Sequence, residues 1–350
     1  MDFNGHACEN DRKSQTYSLT LPARPGTIGE NKVWGAGNMQ SLQTAVNVVA
    51  PMFLMLALGC LLRMGGLLDR GALERLNNVC FKVFLSLLLY YNIYTADVAD
   101  VFNPFLLGFA LLLQMAIWGI LFLTVPRFEK SDKRRGAMIQ GIGRTNFVIF
   151  GTAIGTALCG EGNIGPISLL VAVVVPFYNV LAVIVLELFR GGRVRFKALA
   201  RSVAANPYII AAAAALATLL FGVRLPGFVE SAVRDLTRCA TPLTLIVLGG
   251  LFNFGAVRGN LRQIAAAVAC RLALVPALAL PVCILAGFRG VELVGLVSML
   301  IAPTAASSFN MAQSMESDAD LAGHLVVFTS LFSVLTMFLW IFGLGAAGYL

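Results

Sequence analysis

The chain has 350 residues, 58% of them hydrophobic and 13% charged, with a net charge of +8 and a mean hydropathy of +0.81. Soluble domains carry about a quarter charged residues, so this composition excludes an ordinary water-soluble enzyme or binding module. The positive balance does not imply a nucleic-acid partner either. Most of the Lys and Arg residues beyond the first 38 fall in short loops between apolar runs, with no interleaved basic and aromatic surface.

Residues 1–38 are polar and lack the apolar core of a secretory signal. They are expected to form a disordered tail, with Met39 as an alternative natural start. From there the apolar runs define one membrane domain, 39–350, with ten expected spans: 42–62, 76–95, 104–125, 137–158, 168–189, 203–222, 230–253, 263–287, 292–314 and 322–347. The fold class is therefore an all-α membrane protein. Loops 63–75, 126–136, 190–201 and 254–262 are rich in Arg and Lys, whereas those near 96–103 and 159–167 have none. Charge bias of this kind puts the basic loops in the cytoplasm and both termini outside, for a multi-pass protein of the cytoplasmic membrane in contact with lipid.

A shift of about 156 residues lays spans 1–5 (42–189) on spans 6–10 (203–347), so that Pro51 meets Pro207 and Pro303 meets Phe147. Five is odd, so the second repeat is inverted. Inverted repeats with interrupted helices place a transporter's site near the midplane.

Span 4 contains "QGIGRTNFVIFGTAIG" (140–155). Arg144 lies nine residues beyond Arg135, roughly 13 Å deep at 1.5 Å per residue, in a hydrocarbon core about 30 Å thick. An ionisable side chain at that depth points to function; a structural Arg satisfied by the carbonyls of a broken helix is the alternative. Asn146 follows with a donor and an acceptor. Span 9 holds "APTAASSFNMAQ" (302–313). Pro303 removes a backbone hydrogen bond at mid-depth, and Thr304, Ser307 and Asn310 follow it. Span 5 offers Tyr178 and Asn179 behind Pro176. Arg271 in span 8, again near mid-depth, is read as half of an internal ion pair, with a second anion contact as the alternative. Lys82 and Asn92 are placed on a helix that does not reach the site.

Seven cysteines occur without a C-x-x-C pair, and there are only two histidines. Neither a metal centre nor any other cofactor is expected. "GEGNIG" (160–165) follows no strand, which excludes a phosphate loop.

The stretches "APMFLMLALGCLLR" (50–63), "FLSLLLYYNIYTAD" (84–97), "RTNFVIFGTAIGTALCG" (144–160), "PFYNVLAV" (176–183) and "APTAASSFNMAQ" (302–313) together resemble the auxin efflux carrier family. That family includes bacterial malate and malonate permeases and, more distantly, plant auxin exporters. The resemblance covers 39–350. It implies ten helices in two inverted repeats, with spans 4 and 9 broken and crossing at the midplane. Spans 3–5 and 8–10 would form a mobile transport domain. Spans 1, 2, 6 and 7 would form a scaffold that joins two copies as a homodimer. It also implies elevator-like movement of a small organic anion. Asn146 and Pro303 match the family's two crossover positions. The chain has Ser86 and Ala153 where the family commonly has Pro, and Gly151 and Gly155 are expected to supply the irregularity of span 4 instead.

The sequence thus points to a secondary transporter. Arg144, Asn146 and the unwound backbone near Pro303 would hold a carboxylate such as malate or malonate. A cation/proton antiporter of similar fold would need midplane Asp or Glu. A membrane enzyme would need a clustered His, Asp or Cys constellation. A non-transporting receptor would bind without flux.

Overall fold

The computed structural model describes residues 33–95, 103–160, 163–190 and 196–350, and among them every regular element is helical. Most of the expected tail, loop 96–103 and part of loop 190–201 lie outside the described residues. The chain divides into Met1–Gly37, of which 33–37 is the start of the first helix, and a unit of Asn38–Leu350. Helix α1 (Val33–Met64) begins nine residues before the expected span. Once a helix is nucleated, each added residue gains a backbone bond, so it extends until something stops it.

Helix α2 (Arg70–Val79) runs through a π turn, Cys80–Phe84, into α3 (Leu85–Tyr94). Then follow α4 (Pro104–Phe128), α5 (Asp132–Gly143), α6 (Phe147–Cys159), α7 (Gly165–Leu188), α8 (Phe196–Ala204), α9 (Pro207–Leu220) and α10 (Gly227–Leu251). Helix α11 (Val257–Ala269) continues through a second π turn, Cys270–Leu274, into α12 (Val275–Leu285). The series ends with α13 (Gly290–Ile301), α14 (Ser307–Ser314) and α15 (Ala319–Ala346). Five helical stretches are long and apolar enough to cross a membrane: Arg70–Tyr94, Pro104–Phe128, Gly165–Leu188, Phe254–Leu285 and Ala319–Ala346. Shorter apolar helices include Phe147–Cys159, Pro207–Leu219 and Gly290–Ile301.

Local signals explain the starts. Asn103 and Asn206 each precede a proline at the first helical position and accept from Leu106 N–H and Tyr208 N–H. Asp318 caps α15 through Leu321 N–H at 2.9 Å. Helix α4 buries Leu106, Ala110, Ile117 and Leu121 at helical spacing yet leaves Leu112, Met115 and Leu123 exposed. A helix apolar on both faces suits a core on one side and lipid on the other.

Two packing groups result. Helices α2, α3, α9 and α10 pack on one another, while α4–α7 pack with α11–α15. Helix α1 joins the first group through backbone-to-backbone contact. A Cβ on Gly59 would lie 2.0 Å from the Ile246 carbonyl oxygen, and one on Gly249 2.0 Å from that of Leu56.

The α4–α5 link is tied to α11 by Glu129. Its Oε1 accepts from Lys130 N–H and Ser131 N–H, both at 2.9 Å, and Oε2 accepts from Gln263 Nε2 at 2.7 Å. Burial alone would push this carboxyl up. The hydrogen bonds from Ser131, Gln263 and Lys130, with Arg134 nearby, outweigh it and hold the group below the usual carboxylate range. A depressed carboxylate contributes stability above its unfolded value and loses it as pH falls through the folded one. Glu129→Gln is therefore expected to lower the melting temperature at neutral pH. The gap to wild type should close as pH falls below about 4. Thermal unfolding of both proteins across pH checks this, and a gap that does not change with pH would refute it.

Candidate functional site

The segments expected as spans 4 and 9 are each interrupted. Helix α5 stops at Gly143, Arg144 is extended, and α6 starts after Asn146. Helix α13 stops at Ile301, Ala302 is extended, and α14 starts at Ser307. The two extended pieces meet as one antiparallel bridge between Thr145 and Thr304. Asn146 N–H donates to Pro303 C=O at 2.8 Å, and Ala305 N–H to Arg144 C=O at 3.4 Å.

Broken backbone inside a membrane protein must find partners within the protein. Tyr178 Oη donates to Thr145 C=O at 2.7 Å. Thr304 Oγ1 donates to Gly141 C=O at 2.6 Å, and Thr304 N–H donates to Thr329 Oγ1 at 3.1 Å. Arg271 donates to the carbonyls of Ile142, Met299, Leu300 and Ala302. The expected ion pair at Arg271 is thus corrected: its partners are backbone oxygens freed by both breaks.

Gly151 and Gly155 do not make the break, because α6 runs unbroken past both. They make room instead. A Cβ at Gly151 would lie 2.6 Å from the Phe147 ring, and one at Gly155 2.4 Å from Ile167 Cδ1. Ser86 donates to Phe81 C=O at 3.1 Å, five residues back across the first π turn. A hydroxyl there satisfies the kind of carbonyl that a helix irregularity exposes.

Beside the crossing lies a cavity of about 100 Å³, several times the roughly 10–15 Å³ that one water needs. Of the residues expected at the site, Arg144, Asn146, Tyr178, Asn179 and Ser307 line it, and Pro303, Thr304 and Asn310 do not. Pro303 and Thr304 hold the backbone bridge. Asn310 donates through Nδ2 to Asn77 Oδ1 at 2.7 Å, on α2. The lining also includes Asn92, Thr145, Tyr208, Thr241 and Thr244, which the sequence reading did not assign to the site. Asn92 was set apart on a helix thought not to reach it, and α3 does reach it. Thr241 and Thr244 flank Pro242 in mid-helix, a polar cluster that was a usable signal. Leu85, Leu88, Val148 and Ile149 form apolar wall.

Arg144 is 2% exposed. Its Nη2 donates to Ser307 Oγ at 2.6 Å and its Nη1 to Met311 Sδ at 2.7 Å, and its guanidinium lies 6.0 Å from the centre of the Tyr208 ring. Tyr208 stacks in turn on Phe81, with ring centres 5.2 Å apart. Among the described residues no carboxylate pairs with Arg144. Among the described residues, five buried polar atoms of the cavity lining have no hydrogen-bond partner: Arg144 Nε, Thr145 Oγ1, Asn146 Nδ2, Asn179 Oδ1 and Thr244 Oγ1. Buried polar atoms are nearly always paired, so a cavity with several left over has room for water or a polar ligand. A buried guanidinium without a carboxylate partner favours negative charge there.

No curated protein sequence matches this chain. A family model described as membrane transport protein matches residues 44–204 and 193–341. With that match across most of its length, and with its apolar helices and broken crossing, the chain belongs to the auxin efflux carrier family of membrane transporters.

Proposed function

We propose that this protein is a secondary transporter of a small organic anion, a carboxylate such as malate or malonate, and that it works by elevator-like alternating access. The observation that carries this reading is Arg144, a buried guanidinium without a carboxylate partner among the described residues, lining a cavity that also holds unpaired polar atoms and aliphatic side chains. A lining of both kinds suits an organic anion better than an inorganic one. The α6 and α14 N-termini abut the same cavity through Asn146 and Ser307, and their dipoles add to the attraction.

Ten spans in two inverted repeats, 42–189 and 203–347, are our reading of the topology. In it α5 with α6 is span 4 and α13 with α14 is span 9. The matching breaks support it. The packing of α4–α7 with α11–α15 supports a transport domain, and that of α2, α3, α9 and α10 supports a scaffold. We place the protein in the cytoplasmic membrane with both termini outside, as a homodimer through spans 1, 2, 6 and 7. The cavity lies between the groups: Tyr208, Thr241 and Thr244 come from the scaffold side and Arg144, Asn146 and Asn179 from the transport side. Movement of one group past the other would carry the Arg144 side of the site with it.

The test is uptake of labelled malonate and malate into proteoliposomes, with and without a pH gradient and an imposed potential. Saturable uptake is expected, and its response to each gradient identifies the driving force. Saturable binding with no flux under any gradient would replace the transporter reading by a receptor. Neither binding nor flux with a panel extended to aromatic acids would overturn the anion assignment.

A further inference from the structure

Arg271 is the second buried guanidinium at the crossing, 1% exposed, and the anion site makes no use of it. It belongs to the π turn Cys270–Leu274 between α11 and α12. Such turns shift the register of a helix by a fraction of a turn and are common at functional positions. Its Nε donates to Ala302 C=O at 3.0 Å and its Nη1 to Ile142 C=O at 3.1 Å. Its Nη2 donates to Met299 C=O at 3.0 Å and to Leu300 C=O at 2.7 Å. Ile142 lies in the last turn of α5, Met299 and Leu300 lie in the last turn of α13, and Ala302 follows that helix. One side chain therefore gathers the freed carbonyls at the C-terminal ends of both half-helices.

Each helix C-terminus carries roughly half a negative charge. Two of them meeting in a buried place make a strong cation site. Carbonyls of this origin are what broken membrane helices use to hold monovalent cations. We propose that this is a cation cage of four backbone oxygens with Arg271 as its permanent, tethered occupant. The crossing is then charge-compensated without any ion from solution. The polarity of the breaks is sorted on either side of the Thr145–Thr304 bridge. Helix N-termini and Arg144 face the anion cavity, and helix C-termini face Arg271. Organic-anion movement accordingly needs no sodium or potassium bound at the crossing. The cage itself stands on geometry that is independent of which anion is carried.

The experiment uses the full chain, purified in detergent, with melting followed in sodium, potassium or choline chloride at equal ionic strength. Wild type is expected to melt at the same temperature in all three. Arg271→Ala empties the cage and is expected to melt lower in choline. Its melting temperature should then rise with added sodium or millimolar methylguanidinium, as for any ligand that binds only the folded state. A gain of roughly 5 °C or more is expected. Arg271→Lys keeps a tethered cation and should show no such gain. Arg271→Gln keeps amide donors without the charge, and it gives the same reading should the alanine variant not fold. A sodium requirement in wild type would overturn the proposal. So would a folded Arg271→Ala or Arg271→Gln protein indifferent to every cation. Loss of the anion reading would appear separately, as no stabilisation of wild type by any carboxylate, with these cation responses unchanged.

Discussion

Arg144→Met is expected to weaken anion binding roughly a hundred-fold and, at the same time, to raise the melting temperature of the ligand-free protein. The two effects share one cause. The guanidinium is buried, has neutral partners in Ser307 and Met311, and leaves Nε unpaired. Holding such a charge out of water costs several kcal/mol that two neutral contacts recover only in part. Methionine removes that cost and fills similar volume. A charge-assisted pair with a carboxylate is worth about 3 kcal/mol, so its loss weakens binding roughly a hundred-fold. Titrating malonate or a similar acid while following thermal unfolding reads both quantities. In wild type the ligand should stabilise the protein, whereas the variant should start higher and not respond at the same concentration. A variant that still responds at the wild-type concentration removes Arg144 from the site. Arg144→Lys keeps the charge but cannot present a planar fork, and should retain weakened binding.

The largest loss of stability is expected from Gly249→Val. A Cβ at Gly249 would sit 2.0 Å from the Leu56 carbonyl oxygen, with the Leu56 carbonyl carbon and Cα also inside 3 Å. The obstacle is backbone, so no change of rotamer relieves it. The same contact is reinforced by Cys60 Sγ donating to Gly249 C=O at 3.0 Å and by Arg63 Nη1 donating to Gly250 C=O at 2.8 Å. Valine must push α1 away from α10 and lose these bonds with the dispersion contacts. Small residues are what allow helices to approach this closely in a bilayer. Overpacking typically costs about 1–3 kcal/mol, and backbone contact places this site at or above the top of that range. A drop in melting temperature of roughly 5–10 °C is expected. Trimming Leu56 to alanine in the same protein should not restore it. Gly119→Ala is the control: nothing lies within 4 Å of a Cβ there. It should be neutral or slightly stabilising, since alanine is the better helix former by up to about 1 kcal/mol. Equal losses at both positions would refute the packing argument.

The crossing itself was legible in the sequence. Arg144 at mid-depth and Pro303 in the corresponding span both report a helix that cannot continue, and the structure puts the breaks at Arg144–Asn146 and Ala302–Ala306. What the sequence did not disclose is which breakage products face which neighbour. Arg271 has the depth and charge of an ion-pair member, and nothing in its local sequence distinguishes a carboxylate partner from four carbonyls. Thr304 and Asn310 have the polarity of site residues, yet the first bonds Gly141 and Thr329 and the second bonds Asn77. Their orientation is set by packing against α2, α5 and α15, and hydropathy does not carry that register. Tyr208 was missed for the complementary reason. It lies on a helix distant in sequence, and only tertiary packing brings it to the cavity.

The mutual repair of the two breaks also sets an order of events during synthesis. Gly141 C=O is satisfied by Thr304 from 163 residues downstream, and Ile142 C=O by Arg271 from 129 residues downstream. At roughly 5–20 residues per second, the first break therefore waits about 8–30 s for its partners to be made. Until then the Thr145 carbonyl has its partner in Tyr178, 33 residues on, but the Gly141 and Ile142 carbonyls and the Asn146 N–H lack theirs. The nascent amino-terminal half must keep that segment hydrated or sheltered at the insertion machinery. Its native crossing closes only when the segment of α13 and α14 arrives, which makes completion of the crossing a late event.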